Sequence, residues 1–133
     1  RIWDWQTSET IGVLEGHDSY INAIAISLDG RFLFSASADQ TIKRWDLKSG
    51  EVLNTLVGHT SFINVLSLSR DGQTVASGSA DSTIRRWDVA SGELLAIYTG
   101  FGMTIDHMLL PTDEQVVTAS RKNPAIKAWL TDP

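Results

Sequence analysis

The sequence predicts an all-β chain assembled from repeated units, each a meander of four antiparallel strands. Three observations carry that expectation. Between Gly58 and Asp88 the β-branched and apolar runs Phe62 to Leu68, Thr74 to Ser79 and Thr83 to Val89 are separated by Arg70-Asp71-Gly72-Gln73 and Ala80-Asp81-Ser82. Asp and Gly in such clusters tolerate the backbone of a tight reversal. A fourth run, Glu93 to Thr99, follows Ala90-Ser91-Gly92. Finally, the pattern recurs at a fixed offset, since 59 − 17, 87 − 45, 45 − 3 and 129 − 87 all give 42. A constant period of that size marks a repeat architecture.

Taken in order, residues 1–15 supply part of a unit. Arg1 to Trp5 matches Arg85 to Val89 in register, so Trp3-Asp4 closes a third strand and Thr10 to Glu15 is the outer one. Residues 16–57 form a complete unit, with strands expected near Ile21 to Ser27, Phe32 to Ala38, Thr41 to Leu47 and Glu51 to Val57. Residues 58–99 form the second complete unit. Residues 100–133 are a degenerate, incomplete copy: Phe101 stands at the offset of His59, Arg121 at that of Ser79, Asn123 at that of Asp81 and Leu130 at that of Asp88, while Trp129 is kept. Pro124 is expected in the turn before that copy's third strand, where a missing N–H costs little. A chain that opens inside a strand is expected to be a piece of a longer polypeptide.

Both complete units carry Gly-His (Gly16-His17, Gly58-His59), Asp-Gly (Asp29-Gly30, Asp71-Gly72), Ser-x-Asp (Ser37 to Asp39, Ser79 to Asp81) and Trp-Asp (Trp45-Asp46, Trp87-Asp88) at equal spacing. In this the chain resembles the WD-repeat (WD40) family, whose units are blades of a β-propeller. The resemblance implies a partial propeller of two full blades and two incomplete ones. It also implies a hydrogen-bonded chain inside each blade, formed by His17, Ser37, Asp39 and Trp45 in the first and by His59, Ser79, Asp81 and Trp87 in the second. The third copy, with Phe101 and Arg121, is expected to lack it. The same resemblance places the usual docking surface just after the Gly-His loop, at Asp18, Tyr20, Ala38, Thr60, Phe62 and Ala80. Tyr20 and Phe62 are of the type favoured as interface anchors, or alternatively plug the gap between blades.

Other chemistry finds little support. With 11 basic against 16 acidic residues the net charge is −5, whereas phosphate binding needs a basic surface, so neither nucleic acid nor an anionic membrane is the expected partner. No apolar run approaches the roughly 20 residues of a spanning helix. There is no cysteine, so disulfides and thiolate metal sites are excluded. His107 has no second His or Cys at ligand spacing, the glycines stand singly at turns rather than in a phosphate loop, and no metal or cofactor is expected. The bases Lys43-Arg44, Arg85-Arg86 and Lys127 are read as flank or inter-blade residues that pair with Asp and Glu.

The expected function is a non-catalytic scaffold for protein partners within a larger, intracellular and cytoplasmic polypeptide, completed by further blades from the same parent chain or another copy. The runner-up is the ligand-sensing propeller of a bacterial or fungal signalling NTPase. A hydrolase using the two Ser-His-Asp sets is a third class, although an active site is not normally duplicated at blade period; reaction of Ser37 or Ser79 with a serine-directed probe distinguishes it. A self-assembling element whose cut blades complete each other is a fourth.

Overall fold

The computed structural model describes residues 1–4, 6–112 and 115–130. Its strands are β1 (Ile2–Trp3), β2 (Thr10–Gly12), β3 (Ile21–Ile26), β4 (Phe32–Ser37), β5 (Thr41–Asp46), β6 (Val52–Val57), β7 (Ile63–Leu68), β8 (Thr74–Ser79), β9 (Ile84–Asp88), β10 (Leu94–Tyr98), β11 (His107–Thr112), β12 (Gln115–Ser120) and β13 (Asn123–Leu130). They form four antiparallel sheets in strictly sequential order: β1-β2, β3 to β6, β7 to β10 and β11 to β13.

The turns form where the Asp-Gly pairs fall. In the β7–β8 turn Asp71 accepts hydrogen bonds from the Ser69 hydroxyl at 2.6 Å and the Gln73 N–H at 3.0 Å, and Gly72 takes the left-handed conformation at φ 72° that a Cβ would strain. Asp29 and Gly30 repeat this geometry between β3 and β4.

Because alternate residues of a strand face opposite sides, the second full sheet contributes to two cores. Phe34, Ala36 and Ile42 of one sheet meet Ile63, Leu66, Val75 and Trp87 of the next. On the other side of that second sheet, Ala76 and Ile84 meet Phe101, Ile105, Met108 and Val116. The innermost strands β3, β7 and β11 lie side by side in contact. Gly78 marks how closely the sheets approach, since a Cβ there would stand 2.5 Å from Ile105 Cγ2 and 2.8 Å from Val65 Cγ1.

Side chains also stitch one sheet to the next. Asn22 Nδ2 donates to the Ile63 carbonyl at 3.0 Å, and Asn64 Nδ2 to the Ile105 carbonyl at 3.3 Å. Arg44 Nη1 donates to the Val89 carbonyl at 2.8 Å while its guanidinium stacks 4.0 Å from the Phe32 ring centroid. Lys43 Nζ donates to Thr55 Oγ1. Arg44 thus bridges to the next blade, as expected of an inter-blade residue, but both residues hydrogen-bond hydroxyl or carbonyl oxygens and not the expected carboxylates; Lys43 lies opposite Thr55.

The degenerate copy differs from expectation in its register. Trp129 pairs with Val116 and Lys127 with Thr118, as Trp87 pairs with Val75 and Arg85 with Ser77. Residues 101 to 118 are therefore one fewer than 59 to 77 (17 against 18), and 118 to 129 one more than 77 to 87 (11 against 10). A one-residue deletion before β12 is cancelled by an insertion after it, and the constant period conceals both. Ser120, not Arg121, takes the place of Ser79. Pro124 lies inside β13, not before it, between the pairs Ser120–Asn123 and Ala119–Ile126 where the ladder is interrupted. No ladder bond is asked of its missing N–H there.

Candidate functional site

Two arrangements stand out: a polar chain buried in each full sheet, and an exposed surface where the innermost strands begin.

In the first full sheet, Asp39 Oδ2 accepts a hydrogen bond from His17 Nδ1 at 2.7 Å. A carboxylate only accepts, so Nδ1 carries a proton. Ser35 Oγ lies 2.7 Å from Nε2, while the indole N–H of Trp45 donates to the same Oγ at 2.8 Å. The second full sheet repeats the chain: His59 to Asp81 at 2.7 Å, Ser77 to His59 at 2.8 Å and Trp87 to Ser77 at 2.9 Å.

The serine is a correction. Ser37 and Ser79, expected in the chain, instead accept from the N–H of Asp39 and Asp81 at the adjoining turns, and Ser79 Oγ donates to the Phe62 carbonyl at 2.8 Å. Trp45 lies opposite Leu33 and Trp87 opposite Val75. The hydroxyl within reach of the indole is therefore two residues further from the turn than the Ser-x-Asp spacing suggests. The usable signal was the spacing of ten residues from Ser35 to Trp45 and from Ser77 to Trp87. Sequence reasoning also missed Thr41 and Thr83, whose hydroxyls donate to Asp39 Oδ1 at 2.7 Å and Asp81 Oδ1 at 2.6 Å. An Asp followed two residues on by Thr is a side-chain-closed turn.

Burial pushes the carboxyls of Asp39 and Asp81 up, but the hydrogen bonds of the threonine and histidine and of backbone N–H groups outweigh it and hold both at about 2. His59 is pushed below the usual imidazole range, chiefly by burial and against the pull of Asp81. With Nδ1 protonated toward Asp81, a neutral ring leaves Nε2 to accept from Ser77 Oγ.

Serine, histidine and aspartate in hydrogen-bonded sequence match the order of a hydrolase triad. Yet Ser35 is 2% exposed and Ser77 not at all, and each oxygen already holds an indole N–H. The chain satisfies buried polar groups and presents no hydroxyl to a substrate. Among the described residues no group of three or more His, Cys, Asp or Glu could hold a metal ion.

In the degenerate copy the indole N–H of Trp129 donates to Thr118 Oγ1 at 2.9 Å. Phe101, at the position of His59, packs edge-on against Trp129 with ring centroids 4.7 Å apart. The relay is cut to its first link, as expected of this copy. Arg121, which the constant offset aligns with the buried Ser79, is exposed.

The expected docking residues fall on one surface. Tyr20 is 83% exposed and Phe62 55%, each immediately before its innermost strand; Asp18 and Thr60 are exposed beside them, while Ala38 and Ala80 are half-buried. The N–H groups of Ala38 and Ala80 donate to the carbonyls of Tyr20 and Phe62, which fixes the aromatics relative to the neighbouring turn.

With this geometry in view, the comparisons with known proteins become specific. The model of the family described as "WD domain, G-beta repeat" matches residues 8–46 and 50–88, more than half of the chain. The nuclear distribution protein PAC1-2 of Uncinocarpus reesii (strain UAMH 1704) is 42% identical over 43 residues, 32% of this chain and 9% of that protein. Two solved structures, one of U3-55K and one of the RRP9 WD40 repeats, each superpose with a TM-score of 0.82 at 27% identity over 90% of this chain and 38% of theirs. The chain thus spans well under half the length of the proteins it matches. The sheets are propeller blades, and the chain belongs to the WD-repeat family.

Proposed function

We propose that this segment is a non-catalytic scaffold that docks a protein partner through the face carrying Tyr20 and Phe62. WD-repeat proteins generally act as interaction scaffolds, and fold alone does not imply function. The observation that carries the reading is the same in two successive blades: a large aromatic side chain, mostly in solvent, stands at one position. Phe62, which has a neighbouring blade on either side, would be buried if it merely plugged the gap between blades, and it is 55% exposed. The backbones beneath Tyr20 and Phe62 are joined by Asn22 donating to the Ile63 carbonyl, which supports placing the two anchors on one surface.

Replacing Tyr20 and Phe62 together by Ser weakens a partner recovered by pull-down with the full-length protein by about 2 kcal/mol or more if both are anchors. Arg31→Glu with Gln73→Glu, at turns on the opposite face, is the control and leaves binding unchanged. The reverse result, loss with the control and none with the serine pair, refutes the chosen face.

A further inference from the structure

The third blade changes the chemistry of that same face, and its role there rests on the docking reading of Tyr20 and Phe62. By hydrogen bonding, Lys122 occupies the place of Asp81: its N–H donates to Ser120 Oγ at 3.3 Å as that of Asp81 donates to Ser79 Oγ at 3.1 Å. Arg121 accordingly stands where Ala80 and Ala38 stand. In the full blades the aspartate is turned inward onto His and Thr. With Phe101 replacing the histidine no inward partner needs a carboxylate, and the position carries an exposed cation beside a second one.

This basic pair is continuous with the aromatic surface. Asn64, two residues beyond Phe62, donates to Asp106 Oδ1 at 3.4 Å. The other oxygen of Asp106 accepts from the Arg121 N–H at 2.7 Å and from Ser120 Oγ at 3.2 Å. One carboxylate thus ties the base of Phe62 to the Arg121-Lys122 turn. On the far side, Asp18 is an exposed acid at the position held by Thr60 and Gly102 in the next two units. Across three blades the face therefore runs from acidic Asp18, through two aromatics, to a turn where the two cations Arg121 and Lys122 outnumber the one carboxylate of Asp106, although the whole chain is acidic.

We propose that the Arg121-Lys122 turn is the acid-binding end of the docking face, and that the partner presents a segment with Asp or Glu side chains next to an apolar one. The acid lies over the third blade and the apolar side chain on Phe62. Charge complementarity of this kind fixes register and orientation along a surface.

A library of random peptides selected on the full-length protein tests this. The expected binders are enriched in Asp or Glu beside an aromatic or aliphatic residue. Their affinity falls about tenfold with Arg121→Glu and Lys122→Glu together, the scale of two rim ion pairs, and also falls with Tyr20→Ser and Phe62→Ser. Tryptophan fluorescence and melting confirm that each variant is folded; Arg121→Gln with Lys122→Gln serves if charge reversal perturbs the turn. Binders lost with the serine pair but neither acidic nor sensitive to the cations overturn the acidic-segment proposal and leave the docking face standing. Binding insensitive to Tyr20 and Phe62, or no binder at all, overturns both. An oligothymidylate that binds more tightly than the peptides and is lost with the charge reversal assigns the turn to nucleic acid and overturns the proposal.

Discussion

The second and third blades hold the same tryptophan in two ways, Trp87 buried and Trp129 half-buried. Trp87 passes its N–H to Ser77, and the polar chain continues through His59 to Asp81 and Thr83. Trp129 gives its N–H to Thr118, and an aromatic ring, Phe101, occupies the space the imidazole would fill. The fixed requirement is an oxygen for the indole N–H, because an unpaired buried donor costs about 1–3 kcal/mol. What lies beyond that oxygen is free to vary, but only together: once the histidine is gone, the aspartate loses its partner and the turn becomes open to a cation.

The sharpest way to break this comparison is to remove one side chain at the same position of each blade. Asp81→Ala leaves His59 Nδ1 and the Thr60 N–H without their acceptor and is expected to lower stability by about 1–3 kcal/mol. Lys122→Ala, at the matching position, removes an exposed side chain and stays within about 0.5 kcal/mol. Chemical denaturation of both variants checks the pair; equal losses sink the idea that the relay is what separates the blades.

Acid should act on the full blades by the same route. His59 is depressed below its ordinary 6.5, so the unfolded state binds the extra proton first and stability falls as pH drops below about 6.5. Asp39 and Asp81 are held at about 2 against an ordinary 3.8. Their contribution is complete above 3.8 and is lost between there and about 2. Melting temperature against pH is expected to fall in these two windows, and Asp81→Asn to flatten the lower one. A profile unchanged by Asp81→Asn removes that carboxylate from the account.

A local comparison comes from the relay, which in the second blade runs from Trp87 through Ser77 and His59 to Asp81 and in the third stops at Thr118. Locally weak regions open first, so amide protons of His107 to Leu110 are expected to exchange before those of Ile63 to Leu68. Equal or reversed protection refutes it. The smallest effect concerns the β8–β9 turn, where Ser82 takes a left-handed backbone at φ 66°, as Gln40 does at 73° in the first full blade. Ser82→Gly relieves that strain and is expected to add about 0.5–1 kcal/mol, read as a small rise in melting temperature. Residues 121–122, between β12 and β13, take no such left-handed backbone, so no equivalent gain is available there.

The repeat, the strand positions and the sheet order were legible because the alternation of side chains and the Asp-Gly turns are local signals, and 42-residue copies state them twice. The histidines, aspartates and tryptophans of the relay were legible as a set for the same reason. Ser35 and Ser77 were not, since Ser37 and Ser79 share their face of the strand and only cross-strand register tells the two pairs apart. The third blade misled for a related cause: counting from Trp129 aligns Arg121 with Ser79, and only the ladder between β12 and β13 reveals the paired deletion and insertion. The exposure of Tyr20 and Phe62 depends on how neighbouring blades approach, which no window within one repeat records.

The hydrogen bonds that join blade to blade carry a kinetic consequence. They link residues 41 apart, as Asn22 to Ile63 and Asn64 to Ile105, or 45 apart, as Arg44 to Val89. Each junction therefore closes a loop of nearly the same length, and since closure entropy grows only as the logarithm of that length, neither junction holds an entropic head start. Folding can begin at either one, and the order is decided by the quality of the core that forms there, the first with Phe34 and Trp87, the second with Ile105 and Met108. During synthesis a blade can dock as soon as its successor emerges, without waiting for distant chain.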